Sequence, residues 1–172
     1  HEKVMIDSVE YTVNQMWCGK KLDSTLLADK ERLVQIPDEF TFEDYRIYVD
    51  IGARDAFVKM AEAGKADSVD LTVDSGYRSA SYQARIIVAH MNQGQTFSEI
   101  IRYVAPPGYS DHETGRTVDF VPSDPSFART DAYRWLVENA DDFGFVQSFP
   151  KDTMGVMPWE PWHWTFVPDT DK

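Results

Sequence analysis

The chain has 172 residues, 42% of them hydrophobic and 27% charged, which is typical of a globular protein with a single hydrophobic core. Its net charge of −12 argues against nucleic acid as a partner, because phosphate binding requires clustered lysine and arginine side chains. No apolar run approaches the roughly 18 residues of a membrane-spanning helix, so we expect no membrane span in this chain.

The first part of the chain carries the weakest signals. Residues 1–40 mix charged and apolar side chains without a clear period, and we interpret them as an irregular lead-in that packs on a domain formed by residues 41–172. Cys18 is the only cysteine, so we expect no internal disulfide and a fold that is stabilised by packing alone. Because the numbering begins at His1, we expect a processed or trimmed chain, with any export signal outside it.

Hydrophobic periodicity predicts a helix and then a strand after Thr41. The helix should end at Gly64, and four apolar residues recur in it at helical spacing: Ile47, Ile51, Val58 and Ala61. Residues 68–75 alternate between apolar and polar side chains, which predicts a strand with one buried face. A second helix is predicted over residues 79–94, capped by Ser79 or Ser81 and ended by Gly94.

The remaining elements alternate between helix and strand. A short helix is predicted over residues 97–104, before two prolines, and a strand over residues 116–121. A further helix over residues 130–144 has Thr130 as its N-cap, and two strands over residues 143–149 and 163–167 complete the chain. We therefore expect an α+β fold, a single domain with a small, largely antiparallel sheet flanked by helices.

His112 and Asp119 are the first candidates for chemistry. His112 lies on a loop rich in proline and glycine, and Asp119 lies inside an apolar strand, where a lone carboxylate requires a partner. One interpretation pairs Asp119 with Arg116 or leaves it facing water. The other brings His112 and Asp119 together around one cation.

The hexapeptide WEPWHW, residues 159–164, holds two more titratable side chains among three tryptophans. Strand alternation puts His163 on the face opposite Trp162 and Trp164, so His163 could join His112 and Asp119 in a three-ligand zinc set. Pro161 favours a bend that would bring Glu160 over the metal as a general base. The alternative is a rim of surface aromatic residues.

Arg78 follows a predicted strand end and a glycine turn in the segment SGYRS. A side chain at that position can be directed over the sheet, where a fixed positive charge would stabilise a developing oxyanion. The alternative is an ordinary surface arginine.

Taken together, four motifs resemble the VanY-type zinc D-Ala-D-Ala carboxypeptidases and their LD-carboxypeptidase relatives. The family pattern Ser-x-His-x-x-Gly-x-Ala-x-Asp is matched by Ser110, His112, Gly115 and Asp119, with Thr117 in place of the alanine. The family's Glu-x-x-His is matched by Glu160 and His163, and SGYRSASYQ, with Arg78 and Gln83, resembles its substrate-side segment. In the segment FGFVQSFP, Ser148 and Phe149 replace the usual Arg-Tyr. The resemblance covers about residues 43–167.

This resemblance implies one zinc ion per chain, bound by His112, Asp119 and His163, with Glu160 as the general base. It also implies that Arg78 contacts the scissile carbonyl or the substrate carboxylate, with Gln83 and Ser110 near the substrate. The implied substrate is a peptidoglycan stem peptide that loses its C-terminal D-alanine. The implied source is a bacterium or a phage, and the implied location, after export, is the periplasm or cell wall of a bacterium.

Three other functions are compatible with parts of this pattern. The same scaffold could serve a cell-wall endopeptidase or lysin. A zinc-bearing interaction module without catalysis would not require Glu160. A plain acidic domain would leave the charges of Asp119 and Glu160 uncompensated in apolar surroundings.

Overall fold

The structure is a computed structural model that describes residues 2–149, 151 and 157–168. Within those residues the helices are α1 (Ile51–Ala66), α2 (Ala80–Asn92), α3 (Phe97–Ile100) and α4 (Asp131–Asn139). The strands are β1 (Lys3–Ile6), β2 (Val9–Thr12), β3 (Leu33–Gln35), β4 (Tyr48–Asp50), β5 (Val73–Ser75), β6 (Thr117–Phe120), β7 (Phe145–Gln147) and β8 (His163–Phe166). Short 3-10 turns connect several of them. None of the described helices is both long and apolar enough to cross a bilayer.

The central sheet has four strands in the order β5-β6-β8-β7, and every neighbouring pair is antiparallel. In its register Asp119 on β6 lies opposite His163 on β8, and Thr117 lies opposite Thr165. Two hairpin-like pairs, β1 with β2 and β3 with β4, complete the described strands. The predicted α+β class with a small antiparallel sheet is confirmed.

Two hydrophobic clusters hold these elements together. The first packs α1 and α4 against the sheet and includes Phe57, Phe120 and Trp164. The second packs the β1–β2 hairpin against α2 and α3 and includes Trp17 and Tyr109. Residues 2–40 contribute to both clusters, so the predicted lead-in supplies a hairpin and several core side chains.

The first helix differs from the predicted one at both ends. It begins at Ile51, where Asp50 accepts a hydrogen bond from the Gly52 amide at 2.8 Å, so Ile47 lies before the helix. Gly64 does not end it but lies buried inside its last turn, where a Cβ atom would be 3.1 Å from the Val69 carbonyl oxygen. Close packing, and not termination, therefore explains this glycine.

Helices α2 and α4 begin at the positions that their predicted N-cap residues indicate. Ser79 caps α2 by accepting a hydrogen bond from the Tyr82 amide, and Thr130 caps α4 by accepting one from the Tyr133 amide. The helix at Phe97 is shorter than expected and ends at Ile100. The predicted strand over residues 68–75 is ordered as a strand only from Val73.

Candidate metal centre

Three predicted ligands meet where β6 and β8 pair. His112 lies in the 3-10 turn Asp111–Thr114, which Gly115 ends with a left-handed φ of 69°. Asp119 and His163 are direct partners across the strand pair. The exposed fractions are 0% for His112, 7% for Asp119 and 5% for His163. Burial of Asp119 excludes the interpretation in which its carboxylate faces water.

The donor atoms of these three side chains all lie within 4.8 Å of one another. His112 Nε2 is 3.1 Å from Asp119 Oδ2, and His163 Nδ1 is 3.0 Å from Asp119 Oδ1. The two imidazole rings are nearly perpendicular, with centroids 4.9 Å apart. Nitrogen, nitrogen and carboxylate oxygen form a donor set that suits zinc.

A backbone carbonyl fixes the orientation of His112. Its Nδ1 lies 2.7 Å from the Gly76 carbonyl oxygen, which can only accept a hydrogen bond, so Nδ1 carries the proton. The lone pair of Nε2 is therefore directed towards Asp119. Metal-binding histidines commonly have such a hydrogen bond on the nitrogen that does not bind the metal.

The unsatisfied polar atoms of the cluster fit a cation. His112 Nε2 and Asp119 Oδ1 are buried and make no hydrogen bond with any described residue. Each histidine nitrogen lies about 3 Å from an oxygen of Asp119. For His112 this contact brings a lone pair against an anionic oxygen, and a shared cation would satisfy both.

The charges around the cluster also favour a cation. Burial lowers the pKa of His112, which keeps that imidazole neutral and able to act as a ligand. Burial opposes ionisation of Asp119, but the contact with the imidazole of His163, which stays protonated, outweighs it and holds the Asp119 pKa well below its usual range. Burial also opposes protonation of His163, yet close contacts with the Asp111 and Asp119 carboxylates raise its pKa to about 10. Surroundings that stabilise a proton on His163 would equally stabilise a bound metal cation.

Glu160 lies beside the cluster, with Oε2 at 3.5 Å from His163 Nδ1. The His163 amide donates to the Glu160 carbonyl oxygen at 3.2 Å, which closes a tight turn around Pro161 and brings the Glu160 side chain over the sheet. Burial raises the pKa of Glu160 to about 7, with the Asp119 charge adding to the effect while His163 and Arg78 oppose it. A carboxylate in such surroundings can exchange a proton near neutral pH.

The predicted substrate-side residues line the same pocket, which has a volume of about 180 Å³. Arg78 Nη2 is 3.9 Å from Asp119 Oδ2, and its buried Nε has no hydrogen-bond partner among the described residues. Gln83 donates from Nε2 to the Ala105 carbonyl oxygen at 2.8 Å, and its Oε1 is buried without a described partner. Ser110, buried just before the 3-10 turn, lines the pocket as well.

Asp111 and Trp17 are pocket residues that sequence reasoning did not single out. Asp111 Oδ2 lies 3.4 Å from His163 Nε2. The ring of Phe149, which stands where the family usually has tyrosine, lies 4.9 Å from the His163 ring. Trp17 reaches the pocket from the lead-in. The sequence signal for Asp111 was its position directly before the predicted ligand His112. No sequence signal pointed to Trp17, because its position in the pocket depends on long-range packing.

The fold and this pocket define an α+β domain with a buried His-Asp-His donor set and an adjacent carboxylate. The sequence profile of the VanY family, described as D-alanyl-D-alanine carboxypeptidase, matches residues 46–169. The chain belongs to this family.

Individual relatives agree with that assignment. The putative carboxypeptidase YodJ of Bacillus subtilis is 32% identical over 144 residues, which are 77% of this chain and 52% of YodJ. The chain therefore spans about half the length of that relative. The solved structure of the LD-carboxypeptidase LdcB matches with a TM-score of 0.71 at 32% identity, covering 81% of this chain and 69% of LdcB. A variant of the vancomycin-resistance D,D-pentapeptidase VanY, solved in complex with Zn(II), matches with a TM-score of 0.59 at 28% identity over 83% of this chain and 86% of its own.

Proposed function

We propose that this chain is a zinc-dependent carboxypeptidase that removes the C-terminal D-amino acid, D-alanine, from peptidoglycan stem peptides. The bond that it cleaves would be of the D,D or the L,D type. One observation carries the proposal: the buried donors of His112, Asp119 and His163 converge within 4.8 Å, and the Glu160 carboxylate lies beside them. Family membership and the Zn(II) complex of the VanY relative support the choice of reaction and metal.

His112, Asp119 and His163 would hold one zinc ion per chain through His112 Nε2, an Asp119 oxygen and His163 Nδ1. Zinc bound in such a site lowers the pKa of a coordinated water towards about 7 and polarises a carbonyl group. The Gly76 carbonyl accepts a hydrogen bond from His112 Nδ1, and the Asp111 carboxylate, 3.4 Å from His163 Nε2, would orient the second imidazole.

Glu160 would move the proton of the reaction. Its carboxylate takes a proton from the attacking water and returns it to the amine nitrogen of the leaving D-amino acid. Partial burial suits both steps, because it raises the pKa of Glu160 and so makes the carboxylate a stronger base for the water proton.

Arg78, Ser110 and Gln83 would bind the substrate. Arg78 offers the unpartnered Nε and a nearby Nη2, a planar pair of donors that suits a carboxylate or a developing oxyanion. The amide of Gln83 is fixed by Ala105, so the free Oε1 can accept a hydrogen bond from a substrate N–H group.

A peptidoglycan substrate requires that the protein act outside the cytoplasm. We therefore propose export to the periplasm or cell wall of a bacterium, in keeping with the cell-wall activities of the family. The stem peptide is the proposed partner.

The decisive experiment compares wild type with Glu160→Gln on defined tetrapeptide and pentapeptide muropeptides, with and without a chelator. We expect loss of one terminal D-alanine, abolished by the chelator, and a reduction of about 10²–10⁴-fold in kcat for the variant. The variant should retain one zinc per chain by elemental analysis. Undiminished turnover in Glu160→Gln would contradict the role of this residue.

Mass spectrometry of the same digests separates the competing functions. Cleavage within a crosslink, without loss of a terminal residue, would identify an endopeptidase. Full zinc occupancy with no cleavage of any stem peptide would identify a non-catalytic zinc module.

A further inference from the structure

A second, larger groove lies next to the pocket of the metal centre. Its volume is about 940 Å³, within the range of ligand-binding clefts, compared with about 180 Å³ for the pocket itself. The groove runs between the segment before α1, the turn after β5 and the first turns of α2. Arg78, Ile86 and Asp119 line both cavities, so the groove and the pocket are direct neighbours.

The charge of this groove is opposite to that of the chain. The whole sequence has 29 acidic and 17 basic residues, yet the groove is lined by four cations, Lys30, Arg46, Arg78 and Arg85. The acidic residues that line it are Asp74, which accepts a hydrogen bond from Ser123, and Asp119, which contacts the histidines.

Three of these cations have no acidic partner. Lys30, Arg46 and Arg85 are exposed and form no ion pair within the described part of the chain. The Arg85 guanidinium lies 5.2 Å from the centre of the Tyr82 ring, which leaves its donors open to the groove. A concave surface lined with unpaired cations attracts anions.

Tyrosines supply the remaining contact surface. Four of the eight tyrosines of the chain line the groove: Tyr45, Tyr48, Tyr77 and Tyr82. The hydroxyls of Tyr48, Tyr77 and Tyr82 have no hydrogen-bond partner among the described residues, and Tyr48 and Tyr82 are more than 40% exposed. Tyrosine and arginine are the residues that most often provide binding energy at recognition surfaces.

The wall that carries Tyr48 and Tyr77 is firmly held. The Tyr77 amide donates to the Tyr48 carbonyl oxygen at 2.7 Å. Gly76 packs so closely on this segment that a Cβ atom would lie 2.7 Å from the same oxygen. The groove therefore presents its tyrosines on a fixed backbone.

We propose that this groove binds the part of the stem peptide on the N-terminal side of the cleaved bond, through a free carboxylate of the substrate contacted by Arg46 and Arg85. The inference rests on the proposed function and extends it to substrate choice. The pocket of the metal centre is large enough for a single small residue such as D-alanine, whereas the adjoining groove has room for several residues. Its cations select an acidic peptide over one whose carboxylate is amidated.

The test uses two pentapeptides that differ only at the second residue, γ-linked D-glutamate or its α-amide. Dissociation constants are measured by calorimetry on zinc-loaded protein at low temperature, and cleavage is followed separately. We expect wild type to bind the acidic peptide about tenfold more tightly, a difference of about 1.4 kcal/mol. The double variant Arg46→Gln/Arg85→Gln should reduce this preference to less than about twofold, and high salt should weaken it in wild type.

Arg129→Gln is the matched control, since Arg129 is an exposed arginine outside both cavities, and it should keep the wild-type preference. Equal binding of the two peptides by wild type, or an unchanged preference in the double variant, would overturn the proposal. Competition by a soluble polyphosphate chain, with no preference between the peptides, would assign the groove to an anionic polymer instead. Binding preference without any cleavage would refute the proposed carboxypeptidase activity and leave the groove assignment standing.

Discussion

Asp111 lies outside the donor set but contacts one of its members. Its carboxylate Oδ2 lies 3.4 Å from His163 Nε2, while His163 Nδ1 faces Asp119. A carboxylate this close to Nε2 favours the proton on that nitrogen and leaves Nδ1 free to bind a metal. We therefore predict that Asp111 positions the His163 ring.

Replacing Asp111 should weaken metal binding without removing a ligand. We expect Asp111→Ala to lower zinc affinity by about 10–100-fold, the usual cost of losing such an orienting group. Asp111→Asn keeps a side-chain oxygen that can accept from Nε2, so it should recover most of the affinity. Competition with a chromophoric chelator measures both values.

Asp142→Asn is the control for charge alone, because Asp142 is exposed and removed from the pocket. Saturating zinc should restore turnover in Asp111→Ala if this residue acts only through His163. Wild-type zinc affinity in Asp111→Ala would show that the contact orients nothing.

At the residue scale, the sequence indicated the site for a chemical reason. Burying Asp119 or Glu160 without a partner is costly, so their apolar neighbours already indicated a site. The hydrogen bond from His112 to Gly76 could not be predicted, because it joins residues 36 positions apart through a backbone atom.

At the scale of the elements, the inner strand β8 contacts two residues, Thr117 and Ser148, that differ from the family pattern. Thr117 on β6, where alanine is usual, has its hydroxyl 2.8 Å from that of Thr165. Ser148, where arginine is usual, has its hydroxyl 2.6 Å from the same Thr165 oxygen. Thr165 is the shared partner, and it lies on the same face of β8 as His163.

These two hydroxyls should be energetically coupled. Removing either one, by Thr117→Ala or Ser148→Ala, leaves Thr165 with one partner and should cost about 0.5–1.5 kcal/mol of unfolding free energy. Removing both leaves the Thr165 hydroxyl unsatisfied, so the double variant should lose at least about 0.5 kcal/mol more than the sum. Urea unfolding of the four proteins provides the comparison.

Thr165→Val supplies the control for this cycle, since it removes the shared partner and should abolish the coupling. In the protein that keeps Thr165, the losses of unfolding free energy from Thr117→Ala and Ser148→Ala could instead add to within about 0.3 kcal/mol. That result would show that the two substituted residues act independently.

Elements were predicted best where a local hydrogen bond defines them. Ser79 and Thr130 cap their helices as their side-chain chemistry required. The start of α1 was misplaced because Ile47, although at helical spacing, directly precedes β4 and is buried there in the first hydrophobic cluster. Gly64 was misinterpreted because its role depends on Val69 and Leu71, which pack on it from the following segment.

At the scale of the whole molecule, the metal centre lies between the two hydrophobic clusters. Asp119 is flanked on β6 by Val118 and Phe120 of the first cluster, and Ser110 follows Tyr109 of the second. Trp17 from the lead-in donates to the Ile101 carbonyl oxygen at 2.6 Å and lines the pocket. No local pattern could predict this placement, because it depends on contacts across 84 residues.

Because both clusters form without a metal ligand, removing zinc should leave the fold intact and lower its stability. Binding to the native state alone contributes about 4.1 kcal/mol at a free zinc concentration 1,000 times the dissociation constant. For a chain of this size that corresponds to a rise in Tm of roughly 8–16 °C over the chelated protein. Differential scanning calorimetry measures the shift, and far-ultraviolet circular dichroism should be unchanged by the chelator at 25 °C. His163→Ala removes one donor and should abolish most of the zinc-dependent rise, whereas His90→Ala, in α2 and outside the lining of the pocket, should keep it. A Tm that does not respond to zinc in wild type would contradict a preformed metal centre at the junction of the two clusters.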